Sequence, residues 1–79
     1  MPTLAPPTTY TTSEAAALVG VSRQTLYRVA QRGEPLLIGG EEVWPIRAMS
    51  ATRWPAAALQ AALEVTPREA ARVIEEAAR

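Results

Sequence analysis

The sequence predicts a small, mainly α-helical domain with a short β-hairpin or wing and an extra helix at its C-terminus. Three observations carry that prediction. Two capping boxes, Thr11-Thr-Ser-Glu14 and Thr66-Pro-Arg-Glu69, mark helix starts: in each the Thr hydroxyl accepts from the amide three residues on, and the Glu carboxylate returns to the cap amide. Apolar residues recur at i, i+3, i+4 around residues 26–30, 59–63 and 70–77. Between residues 34 and 54 that period gives way to short apolar runs broken by Gly39-Gly40, the pattern of strands around a tight turn. At 79 residues the chain supports one core, since a domain of this size buries only about 60% of its unfolded surface.

Residues 1–9 hold Pro2, Pro6, Pro7 and three Thr without any period, and are expected to form a flexible N-terminal arm. From Thr11 a helix runs through Ala15, Ala16, Ala17, Leu18 and Val19, and Gly20 supplies the left-handed residue that stops it. Val21 fills the turn, and Ser22 caps a second helix that extends to Arg32 and is closed by Gly33. At about 100° per residue, Arg23, Gln24, Tyr27, Arg28 and Gln31 fall within an arc of about 140°, opposite Leu26, Val29 and Ala30. Leu36-Leu37-Ile38, the Gly39-Gly40 turn, Val43-Trp44 and Ile46-Arg47 form the β segment, with Ser50-Ala51 at its tip and Pro45 confining its strand to an edge. Pro55 suits the first position of a third helix, Ala56 to Glu64, and the second capping box opens a last helix that reaches the C-terminus. The expected organisation is an arm over 1–9, a main domain over 10–64 and a C-terminal helix within 65–79.

Composition removes several function classes. The chain has no Cys and no His, so disulfides, thiolate and imidazole metal sites and the commonest general base near neutral pH are absent. All charge comes from eight Arg and eight Glu, and nothing groups the Glu, Ser, Thr and Tyr for catalysis. No enzyme activity, metal or cofactor is expected. The first residues lack a basic, apolar leader and no apolar run approaches a membrane span, so the expectation is a soluble, cytoplasmic protein. A net charge of zero weighs against broad electrostatic attraction to nucleic acid. The distribution is uneven, however: residues 1–32 hold three Arg and one Glu, residues 55–79 three Arg and four Glu.

The run from Tyr10 to Glu34, with its capped Ala-rich helix, Gly20-Val-Ser22, Thr25-Leu-Tyr-Arg28 and Gly33-Glu34, resembles the opening of MerR-like winged helix-turn-helix proteins, in particular small phage excisionases. Residues 43–64, with Arg53-Trp54-Pro55 and the Ala-Leu helix, are similar to the wing and following helix of that family, whereas Leu36 to Glu42 is more apolar and acidic than usual. The resemblance implies a bacterial, DNA-associated protein whose second helix enters the major groove and whose wing touches backbone or minor groove. It further implies tandem binding beside neighbouring protomers, DNA bending and partnership with a phage integrase that is biased toward excision.

On that footing Ser22, Arg23, Gln24, Thr25, Tyr27, Arg28 and Gln31 are the candidate recognition-helix contacts. Arg can bind guanine O6/N7 bidentately, Gln can bind adenine N6/N7, and Tyr can reach a phosphate or thymine methyl. Arg47, Ser50, Thr52 and Arg53 are the candidate wing contacts, the two Arg flanking the tip where they can straddle a backbone or enter a narrow minor groove, whose negative potential favours Arg. Trp44 and Trp54 are both expected in the core, and Glu41-Glu42 are expected to face solvent or a neighbouring protomer's Arg. The stripe Ala70, Val73, Ile74, Ala77 packs on its own domain or docks a partner, since so short a helix is marginal alone. Two rival readings stand beside excision: a small transcriptional regulator using the same surface, and a protein-interaction adaptor favoured by zero net charge.

Overall fold

The computed structural model describes residues 8–48 and 51–78. In chain order these form β1 (Thr9–Thr11), α1 (Thr12–Val19), α2 (Arg23–Gln31), β2 (Leu36–Ile38), β3 (Glu41–Val43), β4 (Ile46–Ala48), β5 (Ala51–Pro55), α3 (Ala56–Leu63) and α4 (Pro67–Ala77). The strands make two small antiparallel sheets, one in the order β1-β5-β4 and one pairing β2 with β3. Four helices and these sheets form a mixed α/β domain with a larger β share than the expected single wing. No helix among the described residues is long and apolar enough to cross a membrane.

The helix boundaries follow the local signals. Thr11 accepts from the Glu14 amide at 3.1 Å while Glu14 accepts from the Thr11 amide at 2.9 Å, so α1 opens with both halves of its capping box made. It closes at Gly20, whose φ of 86° lets the amides of Gly20 and Val21 both donate to the Ala16 carbonyl. Ser22 caps α2 by accepting from the Thr25 amide at 3.2 Å. Thr66 and Glu69 repeat the capping box at α4. Glu69 is held below the ordinary carboxylate range, chiefly by the bond from the Thr66 amide and then by the Thr66 side chain, with Arg72 adding attraction.

Four expectations are corrected. Thr9, expected in the arm, lies in β1, and residues 1–7 of the expected arm fall outside the described residues. The single hairpin expected over 36–54 is two antiparallel pairs: β2–β3 turns through Gly39 and Gly40, both at positive φ, and β4 pairs with β5 in the register Ile46 to Arg53, Arg47 to Thr52 and Ala48 to Ala51. Pro55 ends β5 and occupies the cap position of α3 rather than its first turn, and α3 stops at Leu63 because Glu64 adopts a left-handed φ of 57°. Trp44 is 53% exposed, whereas Trp54 is fully buried. The difference comes from pairing: Trp54 lies opposite Tyr10 on the central strand, while Trp44 follows the end of β3 on the side away from buried Val43.

Trp54, Leu26, Leu59 and Val43 are the largest fully buried side chains, surrounded by Tyr10 and the small residues Ala15, Ala16, Ala30, Ala56 and Ala70. The alanines let helices approach the sheet closely. Polar atoms inside are satisfied: the Trp54 indole donates to Thr12 Oγ1 at 3.3 Å, the Thr12 hydroxyl donates to the Thr52 carbonyl at 3.5 Å, and Gln60 donates to the Tyr10 hydroxyl at 2.8 Å. These bonds tie α1 and α3 to the three-stranded sheet. The fourth helix packs on α1 through buried Ala70 and half-buried Ile74.

Candidate nucleic-acid interface

A three-residue turn, Gly20 to Ser22, joins α1 to α2, and the two helices are in contact. Buried Leu26 and Ala30 anchor the inner side of α2, which leaves Arg23, Gln24, Thr25, Tyr27, Arg28 and Gln31 exposed, together with Arg32 at the C-cap. Tyr27 is 49% exposed, so it presents about half of its side chain to solvent. At the N-terminus of α2, Ser22 and Thr25 share a hydroxyl contact at 2.9 Å in addition to the cap bond. That pair orders the first turn from which Arg23 and Gln24 project.

The expected wing contacts separate by face. Strand alternation puts Thr52 on the same side of β5 as Trp54, and Arg47, directly opposite Thr52 on β4, shares it. This is the side toward α1 and α2. Arg53 points to the other side, where its Nε donates to Thr9 Oγ1 at 3.1 Å and half-buries the side chain. Arg47 is exposed beside α2, and Arg53 is tied to β1 through Thr9, yet both line the same groove. Ser50 lies outside the described residues.

Between α1, α2 and the β4–β5 hairpin runs an open groove of about 480 Å³. Thr11, Thr12 and Ser13 at the start of α1, Tyr27 and Gln31 from α2, and Arg47, Thr52 and the edge of Arg53 from the hairpin contribute polar groups to it. Its lining includes two Arg and no carboxylate. Sequence reasoning missed the Thr11–Ser13 contribution, which had been seen only as a helix cap. No local signal places it there, because β1–β5 pairing brings it next to residues about forty positions later. The groove is continuous with the exposed polar side of α2 through Tyr27 and Gln31, so one concave, cation-bearing surface is built from three elements.

The C-terminal stripe is divided in its use. Ala70 is buried and Ile74 half-buried against α1, while Val73 and Ala77 are exposed. Packing within the domain consumes the first pair. Among the described residues no group of three or more Asp or Glu is placed to hold a metal ion. Comparison with protein-family models, curated proteins and solved structures returns no match for this chain.

Proposed function

We propose that this chain binds double-stranded DNA, with α2 in the major groove and the β4–β5 hairpin against the adjoining backbone. Within that class, the reading favoured by the sequence resemblance is an excisionase-type architectural factor that binds tandem sites, bends the attachment site and directs a phage integrase toward excision.

The observation that carries the DNA reading is the carboxylate-free groove that joins the exposed arc of α2 to Arg47 and Thr52. A phosphodiester needs donors and positive charge on a concave wall, and the hydroxyls, amide and guanidinium there supply both. The arc of α2 supplies groups that read base edges. The charge is unevenly spread although its sum is zero: Arg23, Arg28, Arg32 and Arg47 lie on or beside this surface, with Glu14 and Glu34 at its margins, while Glu41 and Glu42 sit on the other hairpin and α4 carries Glu69, Glu75 and Glu76 alongside Arg68 and Arg72.

With about three to five Arg near phosphate, the slope of log K against log salt is about −3 to −5, so a single protomer binds weakly at physiological salt. Adjacent protomers compensate through effective concentration. Gel-shift and circular-permutation assays on a repeat-bearing attachment site test this: stepwise multiple occupancy with bent DNA is expected, and a single 1:1 complex on unbent DNA contradicts it. An excision assay with integrase separates the architectural factor from a regulator that uses the same contacts.

A further inference from the structure

Six large hydrophobic side chains are exposed among the described residues, and three of them, Leu37 (67%), Trp44 (53%) and Ile46 (42%), fall within ten consecutive positions. They belong to the β2–β3 hairpin and its exit. The register pairs Leu36 with Val43 and Leu37 with Glu42. Since successive side chains take opposite faces, Leu36 and Val43 turn to the core while Leu37 and Glu42 share the outer face. Trp44, two residues beyond Glu42, continues that face as a diagonal neighbour of Leu37, a spacing of ~7–8 Å that an indole spans. Its polar group is acidic: the exposed Glu42 stands directly across from Leu37, while Glu41, paired with Ile38, falls on the opposite side of the hairpin.

This combination decides among occupants. The Glu42 carboxylate repels a phosphodiester and, among the described residues, no cation stands beside it on the face, so the face does not extend the DNA surface. The helix faces of a second copy fit poorly. In α2 the aliphatic Leu26 is buried and Val29 half-buried, leaving a polar outer side, and in α4 the exposed Val73 has Glu69 and Glu76 as its i−4 and i+3 neighbours, a charge like that of Glu42. The complementary surface has Arg or Lys beside aliphatic groups. A cation placed over the Trp44 ring is attracted by the ring and by Glu42 together, and an aliphatic side chain next to it covers Leu37. Exposed aromatics beside aliphatics in a charged rim have the anatomy of a protein contact.

We propose that the outer face of the β2–β3 hairpin, centred on Leu37, Glu42 and Trp44, is a docking site for a cationic segment of another protein that alternates basic and aliphatic side chains. This goes beyond the DNA reading and does not depend on it.

The test titrates the isotope-labelled full chain with synthetic octapeptides alternating Arg and Leu, Glu and Leu, or Arg and Ser. The Arg/Leu probe is expected to move the Trp44 indole resonance and the amides of residues 37–44, to leave the Trp54 indole in place, and to bind at least tenfold more tightly than the other two. Trp44→Ala and Glu42→Lys, which leave the thermal midpoint unchanged because both side chains are exposed, each weaken the Arg/Leu probe at least tenfold. The Arg23→Ala/Arg28→Ala protein binds it as well as the parent does, whatever becomes of DNA binding. Equal binding of the Glu/Leu probe, resonance changes confined to α2 or α4, or no binding at millimolar probe overturns the proposal. So does a concentration-dependent dimer that Leu37→Ser abolishes, which assigns the face to a second copy.

Discussion

The two hairpins are near neighbours in sequence and have opposite surfaces. In β4–β5 the side toward the helices continues from buried Trp54 to Thr52 and Arg47, so the hairpin that anchors the core also delivers a cation and a hydroxyl to the groove beside α2. In β2–β3 the inner side ends in Val43 and the outer side presents Leu37, Glu42 and Trp44. One hairpin is woven into a three-stranded sheet through β1; the other pairs only with itself. Integration into the core is what separates the hairpin that carries the proposed DNA surface from the one that carries the proposed docking face.

The contrast between the two Trp residues is the largest effect on offer. Trp54→Ala removes a fully buried ring and its bond to Thr12, and is expected to cost about 3–5 kcal/mol in chemical denaturation. Trp44→Ala should change stability by less than about 0.5 kcal/mol. A comparable loss for both erases the distinction between the hairpins. Next comes the recognition helix, where Arg23→Ala or Arg28→Ala should weaken specific DNA binding by about 1–3 kcal/mol where that Arg contacts a base. Arg47→Ala should reduce the salt slope by about 1, whereas Glu42→Gln on the other hairpin should leave that slope unchanged, a comparison read from titrations at several salt concentrations.

Smaller effects concern the helix caps. Thr11→Ala removes half of the α1 capping box beside the groove and is expected to cost about 1 kcal/mol of stability. At α4 the Glu69 carboxyl has its acidity increased by folding, so its contribution is complete above the unfolded value of about 4.3 and is lost as pH falls through the lower folded value. Circular dichroism from pH 6 to pH 3 should therefore show a small loss of helix stability that Glu69→Gln removes.

How much was legible in the chain depended on the range of the signal. The starts of α1, α2 and α4 were written within four residues each, in Thr11-Glu14, Ser22-Thr25 and Thr66-Glu69, because a cap and its target amide are sequence neighbours. The exposed arc of α2 followed from Leu26 and Ala30 alone. The two-hairpin layout was not legible, since β1 pairs with β5 across more than forty residues and only that pairing distinguishes Trp54 from Trp44. The same long-range register gives Arg47 and Arg53 different partners: both line the groove with Tyr27 and Gln31, but only Arg53 is also held by Thr9. The stripe on α4 was legible as apolar, and Ala70 and Ile74 prove to spend it on α1.

The central claim concerns which surface meets the duplex, and amide chemical-shift mapping of the full chain with a twenty-base-pair duplex at low salt tests it most directly. The account predicts changes concentrated in residues 22–32, 11–13 and 46–53, with residues 36–43 and 67–77 unmoved. Changes centred on the β2–β3 hairpin or on α4, with α2 silent, would contradict it.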